Sequence, residues 1–168
     1  MQVEDWVGLR NGWKLHFEQP MLVDAVEGFD ELNFSNEHLL VLPDVVPVKA
    51  GITDEWLLDY QRRAATMAVE KGLADQDLGL IDGVGWSGSL AYSRLPDGQE
   101  AKLVGYLAAP QAVLHLTVRF QDPDKIGMAR RLIGAVKHDA VQAAEVDQAL
   151  DIAKDVFDRD PPHSGNPG

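Results

Sequence analysis

Between Leu78 and Val136 the chain runs through a succession of alternating segments, each closed by turn residues, and the last opens a helix. Leu78 to Ile81 leads into Asp82-Gly83. Val84, Trp86, Gly88, Leu90 and Tyr92 then take one parity, and Gly85, Ser87, Ser89 and Ala91 the other. Pro96-Asp97-Gly98 turns the chain, Leu103, Gly105 and Leu107 alternate with Val104 and Tyr106, and Ala109-Pro110-Gln111 turns it again. Leu114, Leu116, Val118 and Phe120 face one way, with His115, Thr117 and Arg119 on the wetter side. Turns this short join antiparallel neighbours, since a parallel crossover needs a dozen or more residues. The pattern predicts an antiparallel meander. Asp122-Pro123 then caps a helix whose buried stripe is Ile126, Ala129, Leu132, Ile133 and Val136.

The flanking segments are read the same way. Trp13 to Phe17 alternates after an Asn11-Gly12 turn and predicts a half-buried strand, and Phe29 to Phe34 is a weaker second one. Leu39 to Leu42 is a short apolar run cut by Pro43, with Pro47 beyond, which suits an edge strand or its exit. Thr53 can cap a helix, with Asp54 and Glu55 in its electropositive first turn. Trp56, Tyr60, Ala64, Met67 and Ala68 are its expected buried stripe, and Gly72 its stop. Val141 to Phe157 predicts a further helix with an apolar edge of Val146, Leu150, Ala153 and Phe157, and Asp160-Pro161-Pro162 ends it. The expected organisation is an α+β fold with an antiparallel β-sheet sandwiched by α-helices over residues 1–139. An appended amphipathic acidic helix follows over 140–158, then a disordered tail over 159–168.

Charge and composition exclude several classes of function. A net charge of −12 repels nucleic acid and anionic lipid, and Arg62-Arg63 and Arg130-Arg131 read as solvated helix faces. No cysteine is present, so disulfides, thiolate catalysis and Cys-type zinc sites are ruled out. Met1-Gln2-Val3-Glu4-Asp5-Trp6 has neither the positive start nor the apolar run of a signal peptide, and no stretch approaches the ~20 apolar residues of a membrane span. The expectation is a cytoplasmic protein with no membrane insertion.

The chemistry-bearing residues do not converge on a motif. His16, His38, His115, His138 and His163 never pair at metal-clamp spacing, although His16 and His115 could be neighbours across a sheet. Asp75-Gln76-Asp77 starts like a calcium loop, but Gly79 stands where a third oxygen ligand belongs and Trp86 where the bidentate carboxylate should be. Gly83-Val84-Gly85-Trp86-Ser87-Gly88 is followed by a strand pattern, not the helix a phosphate cradle needs, so close packing explains its glycines better. Gly85-Trp86-Ser87-Gly88-Ser89 misplaces the second glycine of a nucleophile elbow. No catalytic residue, metal or cofactor is expected. Trp6 falls outside any strong pattern and either covers a sheet edge or anchors a partner.

Taken together, several segments resemble the Mog1/PsbP-like superfamily, which includes the bacterial DUF1795-type proteins. They are Gly51-Ile52-Thr53-Asp54-Glu55-Trp56-Leu57, Leu80-Ile81-Asp82-Gly83, Leu95-Pro96-Asp97-Gly98, Leu114 to Phe120, and Asp122-Pro123 with Leu132 to Lys137. The resemblance spans Trp13 to Lys137 and rests on turns, caps and periodicity. It implies a helix-flanked antiparallel sheet whose members bind other proteins: a small-GTPase cofactor, photosystem subunits, envelope lipoproteins, and chaperones of secreted toxins. The leading expectation is therefore a non-catalytic protein-binding module, a cytoplasmic adaptor or chaperone linked to a secretion system, with an unidentified protein partner and a possible homodimer. One alternative is a carrier of a small apolar ligand or lipid, lined by Trp86, Leu90, Tyr92 and Tyr106. A second is an immunity protein neutralising a toxin. A hydrolase or metal enzyme would need His16, His115 and a carboxylate to meet in a cleft. Trp6, Trp86, Leu90, Tyr92, Tyr106 and His115 are the candidate partner- or ligand-binding residues.

Overall fold

The structure, a computed structural model, describes residues 1–25 and 32–140. The expected helix over 141–157 and the tail lie outside the described residues, as do residues 29–31 of the second strand candidate. Among the described residues the fold is α+β: nine strands and two α-helices. The strands are β1 (Gln2–Gly8), β2 (Trp13–Ala25), β3 (Leu32–Ser35), β4 (Leu40–Val46), β5 (Gln76–Gly83), β6 (Trp86–Arg94), β7 (Ala101–Ala109), β8 (Ala112–Phe120) and β9 (Lys137–His138). The helices are α1 (Asp54–Glu70) and α2 (Ile126–Gly134). The strands form one sheet in the order β1-β2-β3-β4-β8-β7-β6-β5, and every strand pair in it is antiparallel. β9 pairs with β2, and Lys137 also bridges to Val84 between β5 and β6. The two ends of the sheet are thereby drawn towards each other.

The meander β5 to β8 follows the alternation of the sequence. Leu90, Leu103, Leu107, Leu114, Leu116 and Val118 are buried on one face of the sheet with Trp13, Leu15, Phe17, Phe34 and Val41. Ala129, Leu132, Ile133 and Val136 of α2 and its exit join them. Gly105 makes the approach of α2 possible: a Cβ there would lie 2.9 Å from the Ile133 side chain. Gly83 does the same for Trp86, whose ring would meet a Cβ at 2.1 Å. The glycines at this turn thus serve close packing.

α1 lies over β5, β6 and β7. Thr53 Oγ1 accepts from the Trp56 amide at 3.2 Å, as the capping pattern predicts. The face turned to the sheet differs from the expected stripe. Leu57, Gln61, Ala64, Ala65 and Ala68 are buried, while Trp56 is 51% exposed. Small residues and one amide bring the helix close enough for Ser89 to enter its backbone. The Ser89 hydroxyl donates to the Gln61 carbonyl at 2.6 Å and accepts from the Ala65 amide at 3.0 Å, between the two groups of one i to i−4 pair.

One strand is unexpected and one strand expectation changes. β1, unmarked in the sequence, pairs along β2; Asp5 at φ 66° and a register shift between Val3 and Asp5 break its alternation. Pro20 falls opposite that shift, where no ladder amide is needed. β4 is not an edge strand, since it lies between β3 and β8. Pro43 is tolerated because β3 reaches only Leu40 and Val41, leaving the later residues of β4 paired on one side.

Candidate functional site

The antiparallel register sets out the face of β4, β8 and β7 that points away from the main core as cross-strand rows. Leu40, Arg119 and Lys102 form one row; Leu42, Thr117 and Val104 the next; Asp44, His115 and Tyr106 the third; Val46, Val113 and Ala108 the last. The last row is covered by Leu57 at the start of α1, with Val48 and Ile52 from the preceding loop. Gln111 fixes that corner, its amide donating to Asp54 Oδ1 at 2.8 Å and its side chain to the Ile52 carbonyl at 3.0 Å. Beyond it α1 turns over β5 to β7, and on this face it reaches β8 at Val113, through Leu57, and at His115, through Gln61. Leu40, Leu42, Val104, Thr117, Tyr106 and His115 are each left half-buried there. On α1 itself Trp56 stacks on Tyr60 at 5.0 Å between ring centroids.

A polar seam runs where α1 meets this face. The Tyr106 and His115 rings meet edge-on at 5.1 Å, and His115 Nε2 lies 3.1 Å from Gln61 Oε1. Burial lowers the His115 pKa below the ordinary histidine value, partly offset by the Asp44 carboxylate across the strand pair. Burial raises the Tyr106 hydroxyl above its ordinary value. His115 is therefore not on a fully wet face, because α1 brings Gln61 to it. At the far end Arg119 pairs with Glu100.

The six residues singled out from the sequence do not share one site. Trp86 and Leu90 are buried in the main core, where Trp86 Nε1 donates to the Val136 carbonyl at 2.6 Å, and Tyr92 packs against that core from the same face. Tyr106 cannot line a pocket with them: it stands opposite Ser89, on the α1 side, while Leu90 stands opposite Gly105 on the α2 side. Tyr106 and His115 are brought together. Trp6 lies on β1, 42% exposed, against His16 at 4.7 Å and under Lys137 Nζ at 4.5 Å. His16 and His115 are not neighbours, because β3 and β4 separate their strands.

Other motifs resolve into local structure. Asp77 accepts from the Gly79 amide at 2.8 Å and from Thr66 Oγ1 at 2.6 Å, closing an irregularity in β5. Among the described residues no group of three or more His, Asp or Glu side chains is placed to hold a metal ion. The cleft between β2 and α2, lined by Phe17, Met21, Leu39, Met128 and Leu132 among others, contains a cavity of about 30 Å³, room for one or two waters. Sequence reasoning missed Leu40, Leu42, Trp56 and Tyr60 as surface residues. The signal lay in α1, where Leu57, Gln61, Ala64, Ala65 and Ala68 form a second stripe at helical spacing, one step from the more hydrophobic one.

Comparison with known proteins returns no matching family model, no matching curated protein and no matching solved structure. Among the described residues no helix is long and apolar enough to cross a membrane.

Proposed function

We propose that this chain is a non-catalytic protein-binding module, an adaptor or chaperone, that takes its partner on the outer face of β4 and β8 beside α1. The observation that carries this reading is the composition of that face, Leu40, Leu42, Val104 and Thr117 on the strands, together with the Trp56–Tyr60 stack on α1. Aliphatic side chains left half-covered beside a mostly exposed tryptophan are the makings of an interface centre. The inner face offers a ligand little, since its cleft has room for waters and small-molecule sites run to about 300 Å³ or more. We further read the fold as a Mog1/PsbP-like sandwich, with the sheet between α1 and α2. On the resemblance drawn from the sequence, the partner is a protein handled by a secretion system and the location is the cytoplasm.

The test is a quantitative affinity capture from the native cell, with wild type, Trp56→Ala and Leu42→Lys compared by mass spectrometry. The reading expects one reproducible partner, retained by wild type and depleted at least about tenfold by each variant, the loss of one hot-spot residue costing roughly 2 kcal/mol. Equal recovery with all three proteins, at unchanged melting temperature, contradicts it.

A further inference from the structure

A second surface points to a different kind of contact. On one side of β1, β2 and β9 the register sets Trp6 across from His16 and Lys14 across from Lys137. Like charges directly opposite one another on neighbouring strands repel. Lys137 is placed over the Trp6 ring, and Lys14 reaches Asp139 at 4.0 Å. Arg10 stands on the adjoining 3-10 turn, Arg10–Gly12. Asp139 and Asp5, the latter 3.1 Å from His16, also lie on this side; Lys137 over the part-exposed indole and Lys14 across from it are its cations, on a chain of net charge −12. Their complement is a segment in which carboxylates alternate with apolar side chains.

The chain carries such a segment and begins it at this place. The Asp139 amide bonds to the Gly12 carbonyl at 2.8 Å, so the backbone leaves β9 beside the Arg10–Gly12 turn. Residues 141–158 hold Glu145, Asp147, Asp151, Asp155 and Asp158 against Lys154 alone, with Val146, Leu150 and Phe157 among them. Val141 follows Lys137 by four positions. A tether that short gives an effective concentration on the order of millimolar, so even a weak contact is populated. We propose that the face formed by Trp6, Lys14 and Lys137 is the docking site of this chain's own acidic segment, residues 141–158, which covers Trp6 in cis.

Carbodiimide cross-linking of the full chain, which joins a lysine to a carboxylate with no spacer, tests this directly. The expected products, in the monomer fraction, join Lys14 or Lys137 to Glu145, Asp147, Asp151 or Asp155, and fade in ~0.5 M salt as screening shortens the charge range to about 4 Å. A second reading uses Trp56→Phe, which leaves Trp6 as the exposed tryptophan, Trp13 and Trp86 being buried. In that background Leu150→Lys with Phe157→Lys is expected to raise acrylamide quenching about twofold, as an uncovered indole becomes accessible. Cross-links to these lysines that form only between chains overturn the proposal in favour of a second copy. Cross-links confined to carboxylates outside 141–158, with quenching unchanged, overturn it outright.

Discussion

The two faces of the sheet hold their helices by different physics. Under α2 the buried contact is mainly apolar, with Ile133 fitted over Gly105 and Leu103, Leu107, Leu114 and Leu116 packed below. Under α1 the apolar cluster is small, Leu57 with Ala108 and Val113, joined by the alanines Ala64, Ala65 and Ala68 and by a hydrogen-bonded seam of Ser89, Gln61 and His115. Burial of carbon is strong and non-directional, while a buried hydrogen bond adds little net energy but fixes position. The α2 side therefore supplies most of the stability. The α1 side sets where the helix lies, and so how much of β4 and β8 stays uncovered.

The largest effects belong to the α2 side. Trp13→Ala should cost about 3–5 kcal/mol and Leu103→Ala about 2–5 kcal/mol in denaturant unfolding, as fully buried side chains leave cavities. A milder loss would mean that the interior collapses around the gap. Gly105→Val should cost about 1–3 kcal/mol by overpacking against Ile133, and Ile133→Val should recover part of it. An additive double variant would show that the two do not touch.

On the α1 side the expected effects are smaller. Ser89→Ala should cost about 1 kcal/mol, the net worth of its hydrogen bonds, because the Gln61 carbonyl and Ala65 amide can rejoin each other. A cost equal to that of Leu103→Ala would erase the contrast between the faces. Acidification probes the same seam. The folded-state pKa of His115 is depressed, so above the unfolded value of about 6.5 the histidine is neutral in both states and its stability contribution is fully present. As pH falls below that value the unfolded chain takes up the proton first, and stability drops until the folded-state pKa is passed. His138 shifts the same way by burial, opposed by the Asn11 carbonyl and Asp139. The melting temperature should therefore fall from about pH 7 to about pH 5, and His115→Gln should flatten that slope without abolishing it. Comparably small, Trp56→Ala should cost about 1 kcal/mol, since only half of its side chain is out of water and it stacks on Tyr60.

The same division governs what could be read in the sequence. The β6 to β8 meander, the Thr53 cap and the Asp122-Pro123 helix start were legible because each rests on local periodicity or a local hydrogen bond. β1 was not, since the irregularity at Asp5 puts Val3 and Val7 on the core side without strict alternation between them. β9 is two residues long and exists only because β2 and Val84 flank it. The buried side of α1 was misread because hydrophobicity alone favours Trp56 and Tyr60, whereas close approach to Ser89 demands Ala64, Ala65 and Ala68. The expected lining of Trp86, Leu90, Tyr92 and Tyr106 joined residues of opposite faces, although parity separates Tyr106 and His115 from the leucines of their own strands. Parity could not tell which side α1 would take, because that choice is made by tertiary packing.

The outer face beside α1 is the surface proposed to meet a partner. Photo-cross-linking in the native cell tests that most directly, with a benzophenone side chain placed singly at Leu42, Trp56, Leu73 or Val84. The expected result is one shared adduct from positions 42 and 56 and none from 73 and 84, the exposed apolar positions after α1 and between β5 and β6. An adduct formed from 73 or 84 but absent from 42 and 56 would contradict it.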